Sequence, residues 1–331
     1  MKNEMLTVAD VAARIEDGAT MVIAGAEELL RELPKGNWIG GTTVYFVTDQ
    51  GGAVVRDKLF CTTFDRAAEV AVRYVGVDGL NTIAEGYKPN GFTMIMIPAF
   101  SVAHSNFAVE GQTYDNLFNQ PLAGWITGVH LDDLGKKAPM IFDGATGKGY
   151  DEGAVLLHVG LPADAKADLD ILNIFAQGDQ KDLTFRFQKD GFSAVTAEVN
   201  GQQVDFAQYI EDNKIDTRLP LVANYSGAMV NVSIQSVDTQ SGEVKFYAPV
   251  VEGVEYRMAN ALGSYAQAFA DGAGNAGEGQ YSCNCILNYL YGELEGQRTG
   301  NFTGPVTFGE IAYILLNQTL VRMDITDTDA A

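Results

Sequence analysis

Cysteine is scarce: Cys61, Cys283 and Cys285 are the three thiols in a chain of 331 residues. An odd count, with two of them one residue apart, excludes a disulfide framework and fits a reducing compartment. Histidine is as sparse. His104, His130 and His158 lie far apart, with neither H-E-x-x-H nor C-x-x-C spacing, so no metal centre is expected. Basic residues number 22 against 43 acids, a net charge of −21. That surface repels phosphate backbones and anionic lipid, which argues against nucleic acid and membrane-surface partners. No apolar run reaches the roughly 18 residues that would mark a membrane-spanning helix. The amino terminus, MKNEMLTVADVAARIEDG, carries acids where a secretory signal needs a basic start and an apolar core. A soluble, cytoplasmic protein is the expectation. Phosphate loops are missing too, because Gly144–Gly149 (GATGKG) lacks the G-K-[ST] ending and no G-x-G-x-x-G occurs.

What is present is 47% hydrophobic sequence punctuated by 36 glycines, enough apolar surface for one large or two ordinary domains with many tight turns. Thr7 caps a short amphipathic helix carrying Val8, Val11, Ala12 and Ile15, and Gly18 ends it. Thr20–Gly25 reads as a buried strand, Glu27–Leu33 as a helix, and Trp38–Val47 as a strand interrupted by Gly40 and Gly41. Val54–Phe64 is a further strand. Asp65 is read as the cap of a helix with Ala67, Val70, Ala71, Tyr74 and Val75 on one face. Thr93–Ile97 lacks alternation, which predicts burial on both faces and a central position, with ligands expected beyond its carboxyl end at Ala99–Asn106. The charged stretch Asp164–Asp170 is taken as a boundary. Beyond it, Asn200-Gly201 signals a type I′ hairpin, Met229–Val237 and Val244–Ala248 a second hairpin, Gly272–Gly279 a glycine-rich loop and Cys285–Leu294 an apolar helix. The expected class is α/β (α+β), with residues 1–163 the more parallel part and 164–331 mostly antiparallel.

The order Phe246-Tyr247, Val254-Glu255-Tyr256-Arg257-Met258, Cys283, Thr307-Phe308-Gly309-Glu310-Ile311 and Asn317-Gln318-Thr319 resembles the carboxyl-terminal part of FIST proteins. That family shows a Gly-x-x-(apolar)-Arg stretch, a Cys opening a buried helix, a Gly-Glu-Ile turn and a closing Asn-x-Thr strand. Trp38-Ile39-Gly40-Gly41-Thr42 is similar to the family's amino-terminal glycine strand. Ile286 stands where the family has Arg, which marks a divergent member. The resemblance implies a sensory, small-molecule-binding module made of an amino-terminal and a carboxyl-terminal FIST-like domain. Its ligand would be an amino acid or related metabolite, its output would pass through a signalling protein partner, and some relatives are linked to haem.

The candidate ligand-binding residues are Gly40, Gly41, Thr42, Thr43, His104, Arg257, Cys283, Glu310 and Asn317. Glycines at 40 and 41 expose backbone N–H groups beside two hydroxyls, or mark a bulge. His104 suits a hydrogen bond to a ligand or an axial haem bond, or is a solvated loop residue. Cys283 near a helix start is a candidate nucleophile, or a buried hydrophobe beside Cys285. Glu310 either binds an amine or caps a following helix, and Arg257 either holds an anion or pairs with one of the many acids. The leading expectation is a non-enzymatic binder with no metal. The alternatives are a haem-linked gas sensor, an enzyme using Cys283 or His104, and an interaction protein. A homodimer stays open.

Overall fold

In the computed structural model, described for residues 1–178, 183–225, 228–273 and 280–328, the chain forms an α/β (α+β) fold with mixed sheets. Parallel ladders occur in three places among the described strands. Residues 274–279 of the predicted glycine-rich loop lie outside the described residues.

The helix Val8–Glu16 begins as its sequence requires. Thr7 Oγ1 accepts from the Asp10 N–H at 3.2 Å and donates to the Asp10 carboxylate at 2.7 Å, while Val11 and Ile15, one turn apart, are buried. Met21–Gly25 then pairs in parallel with Trp38–Thr42 across the one-turn helix Glu27–Leu30. The long run read as one strand is two. At Thr43 the chain leaves this first sheet, and Tyr45–Thr48 enters another beside Gly304–Thr307. Thr43 holds the switch, because its hydroxyl donates to the Val306 carbonyl at 2.7 Å and accepts from the Tyr45 N–H at 3.2 Å.

Gly91–Pro98 is the buried central strand of a second sheet, parallel to Leu122–Thr127 and antiparallel to Ala154–Gly160. Its two faces feed different cores. Phe92, Met94 and Met96 point into the main core between the sheets, and Ile95 and Ile97 into a second one under the helix Val102–Glu110. This is why the run shows no polar alternation. The predicted helix after Asp65 is instead the strand Glu69–Val75, paired along its whole length with Ala154–Gly160. Val70, Val72 and Tyr74, alternate residues, pack on the main core. Ala67, Val70, Ala71 and Tyr74 happen to match a helical repeat as well, and tertiary pairing of β-branched residues decides between the two readings.

Most of Asp164–Asp170 is also strand, which begins at Ala165. Ala165–Leu172 pairs over eight residues with Leu320–Asp327 in a third sheet, which includes Tyr45–Thr48 and Gly51–Val54. The second sheet in turn takes Glu310–Ala312 and Ile314–Leu316 at its edge. Strands from both sides of residue 163 therefore share two sheets and one core. Residues 183–258 build a lobe of their own, with a six-stranded and a three-stranded sheet around the helix Phe206–Asp212. Phe187 sits at its centre, 5.5 to 5.8 Å from the rings of Phe206, Phe246 and Tyr256. The hairpin read at Asn200-Gly201 is present, with φ of 51° and 81° as a type I′ turn needs.

The first and second sheets approach closely at Gly41. A Cβ there would stand 2.6 Å from Thr127 Cγ2 and 2.9 Å from Trp125 Nε1, both in the packed interior. Gly41→Ala is expected to lower stability by about 1–3 kcal/mol through overpacking. Urea unfolding measures it, and an unchanged midpoint would mean that the sheets can part freely.

Candidate functional site

Beyond the carboxyl end of the central strand lies a cavity of about 360 Å³. Four parts of the chain wall it. Ala99, Phe100, His104 and Ser105 come from the strand-to-helix turn, Leu131 and Leu134 from the segment after Leu122–Thr127, Phe192, Ser193, Gln235, Glu243, Lys245, Phe246 and Tyr247 from the lobe, and Cys285, Ile286, Leu287, Leu290, Phe308 and Asn317 from the carboxyl-terminal segments. Such a place, outside the strand ends and between packed units, is where α/β proteins tend to bind small molecules.

The turn that presents His104 is built tightly. Pro98 ends the strand, and Ser101 Oγ donates to its carbonyl at 2.7 Å while accepting from the His104 N–H at 3.0 Å as the helix cap. The Glu152 carboxylate takes the N–H groups of Val102 and Ala103, both at 2.9 Å, and so already occupies the positive end of the helix. Phe100 is held at φ 66°, a left-handed conformation unfavourable for a bulky residue. Its N–H donates to His104 Nδ1 at 3.4 Å. With Nδ1 accepting, the ring proton sits on Nε2, which is buried and has no hydrogen-bond partner. Burial pushes His104 down to about 4, so the ring is neutral near pH 7 and acts as a donor. His104 is thus a buried helix residue and not a solvated loop histidine.

The opposite wall is polar inside and carries its own partners. Asn317 Nδ2 donates to the Asn231 carbonyl at 3.1 Å, Asn231 Nδ2 donates back to the Asn317 carbonyl at 3.2 Å, and Ser233 Oγ donates to Asn317 Oδ1 at 2.6 Å. Behind it Glu310, fully buried, accepts from the Thr319 N–H at 3.2 Å and hydroxyl at 2.8 Å through Oε2, and its Oε1 has no partner. The Cys285 thiol is buried near this carboxyl. Burial pushes Glu310 up to about 8 and Cys285 well above the usual thiol range, so the pair is an acid and a thiol near pH 7.

The predicted residues divide. His104 and Asn317 line the cavity, whereas Glu310 is fully buried behind its wall and does not line it. Glu310 caps no helix, since it opens the strand Glu310–Ala312. Cys283 is on the strand Tyr281–Cys285 and not on a helix; it faces the main core, and burial raises its thiol pKa. The thiol at the cavity is Cys285, which alternation along the strand and the helix start at Ile286 place there. Gly40 and Gly41 pack against Trp38, Trp125 and Thr127, and the Thr42 hydroxyl is engaged with the Met140 backbone, so these groups are structural here. Thr42 and Thr43 border only a small cleft of about 40 Å³. Arg257 lies on the lobe and pairs with Glu255 at 3.3 Å. Lys245 and Phe192 carry no signal as site residues in the sequence, and Tyr247 carries one only through family-like order, because these segments look like ordinary strands.

His104 does not fit axial haem ligation. An iron-ligating imidazole donates its other ring N–H outward, whereas the Phe100 N–H leaves Nδ1 as the acceptor and Nε2 protonated. Among the described residues no cluster of three or more His, Cys, Asp or Glu side chains is arranged to hold a metal ion. No described helix is long and apolar enough to cross a membrane.

Glu310 gives a pH signature. A carboxyl raised to about 8 in the fold and ordinary when unfolded favours the fold at low pH, and this contribution is lost as pH rises through about 8. His104 and His158, both lowered to about 4 by burial, act in the other direction, losing stability as pH falls below the free imidazole range. From pH 6.5 to 8.5 the stability of wild type relative to Glu310→Gln is therefore expected to fall by on the order of 1–2 kcal/mol. Parallel urea-unfolding profiles over that range would show that Glu310 is not held neutral.

No curated protein matches the chain. One family model does, over residues 6–326, and its description is a family of unknown function, DUF6976. With the match spanning nearly the whole of the chain, the protein belongs to the DUF6976 family.

Proposed function

We propose that the protein is a non-enzymatic small-molecule-binding protein of sensory type, with its ligand in the cavity between the central strand, the lobe and the carboxyl-terminal segments. One observation carries the reading: His104, nine-tenths buried, is among the residues that line a cavity of ligand size, and its neutral ring carries an Nε2–H that has no hydrogen-bond partner. A buried donor is stabilised by the acceptor that pairs with it, so the site selects molecules that bring one. The resemblance to FIST proteins points to the same class of activity. An amino acid, the ligand that resemblance implies, is less well served than a neutral molecule, since the cavity's one lysine, Lys245, already faces Glu243 at 3.6 Å. Binding would be passed on by a protein partner that senses how the lobe sits on the core.

The catalytic alternative draws support from a thiol and an imidazole, Cys285 and His104, in one cavity. Against it, the thiol is held protonated by burial beside a neutral carboxyl, and an imidazole that already accepts at Nδ1 has no free nitrogen to act as a base.

Thermal unfolding against a metabolite panel tests the reading. A ligand at a hundred times its Kd adds about 2.7 kcal/mol of stability. His104→Ala is expected to weaken that ligand about tenfold, by removing one hydrogen bond of about 1.4 kcal/mol, whereas Cys283→Ala lowers stability without altering affinity. A panel that stabilises nothing, or a ligand indifferent to His104→Ala, sinks the proposal.

A further inference from the structure

From the cavity's rim we infer that its ligand is a neutral, chain-bearing molecule, its carbonyl or ether oxygen directed at His104 and its aliphatic chain leaving across Phe100, Leu134 and Leu290. This rests on the reading of the cavity as the ligand site and adds the ligand's chemistry to it.

The rim supplies the first argument. Eight large hydrophobic side chains are exposed among the described residues, and three of them, Phe100, Leu134 and Leu290, line this one cavity, at 64%, 41% and 39% exposure. Isolated exposed apolar residues are ordinary, but their convergence at the mouth of a cavity marks a binding surface. Phe100 is moreover held there in a left-handed backbone conformation, with its ring edge-on to Phe308 at 6.1 Å. A bulky residue is retained in such a conformation where its position serves a site.

The charge inventory supplies the second. His104 is neutral, and Cys285 and Glu310 behind the far wall are uncharged near pH 7, so nothing deep in the cavity compensates an anion. Lys245, the cavity's cation, is half exposed and faces Glu243. Burying a carboxylate without a partner is strongly unfavourable, whereas a ketone, ester or amide oxygen needs one donor. Among the lining residues, which also include Ser105, Ser193, Gln235 and Tyr247, His104 carries a buried N–H without a hydrogen-bond partner, and most of the lining surface is apolar.

The experiment measures affinities of a homologous series of methyl ketones, from 2-pentanone to 2-undecanone, by displacement or calorimetry, with straight-chain carboxylic acids of matching length in parallel at pH 7. Wild type is expected to gain up to about fourfold in affinity per added methylene, the value for burying one CH2, and to bind each acid at least tenfold more weakly than its ketone. Phe100→Asn and Leu290→Ser, both at exposed positions, are expected to flatten the gain for the longer members; Val54→Ser, an exposed valine outside the cavity, is expected to leave the slope as it is. His104→Ala lowers the whole series. Short ketones that bind and respond to His104→Ala, with no gain along the chain or with acids binding more tightly, would overturn this inference and leave the cavity reading intact. If no ketone of any length binds, this inference falls, and the metabolite panel decides the cavity reading separately.

Discussion

The segment from Glu310 to Leu320 ties together three bodies, the second sheet, the third sheet and the lobe. Its first strands close the edge of the second sheet, its last residue opens a strand of the third, and the turn between them, Asn317 to Thr319, is buried. Buried polar side chains must find partners or destabilise the fold, and these find theirs in all three directions. Thr319 bonds back to Glu310, Asn317 exchanges amide bonds with Asn231 of the lobe, and Gln318 donates to the Arg218 carbonyl at 3.1 Å. Hydrophobic packing alone tolerates sliding, while hydrogen bonds with fixed partners set a register. This turn fixes the lobe over the core together with Asn173, which donates to the Met229 carbonyl at 3.1 Å and to Asn231 Oδ1 at 2.9 Å.

The arrangement divides labour between the two sides of the cavity. On the carboxyl-terminal side the Asn317 amide is engaged by the lobe and Cys285 is a buried, protonated thiol, so those walls define shape more than they offer bonds. On the central-strand side the backbone turn spends its own groups on capping, with Ser101, Glu152 and the Phe100 N–H all engaged, and one imidazole N–H is left over. In the proposed reading this arrangement is selective, because the energetic penalty of an unpaired buried donor would fall on a ligand that lacks an acceptor.

Much of this was legible in the residues. The capped first helix, the parallel start, the central strand buried on both faces and the Asn200-Gly201 hairpin all follow from local rules, and each is present. The site was half legible. The habit of α/β sheets to bind beyond strand ends points to His104, and family-like order points to Asn317 and to Cys283, whereas the thiol at the cavity is Cys285. On a strand, what separates the two is which core lies beneath each, and that is a long-range fact. Glu69–Val75 fits a helical repeat and a strand repeat equally well, and only its ladder with Ala154–Gly160 distinguishes them.

Composition and periodicity by themselves determined the acidic surface, the absence of a disulfide framework, the mixed α/β class and the turns, since these depend on residues within a few positions of each other. Tertiary structure alone decided that strands from both sides of residue 163 share sheets, that Thr43 marks a change of sheet, and that Lys245, Phe192 and Leu290 face His104 across one cavity. The reason is physical. Local propensities act over one turn of chain, whereas strand pairing and buried amide contacts join residues that are tens to hundreds of positions apart, as Asn231 and Asn317 do, and each such choice depends on all the others being made.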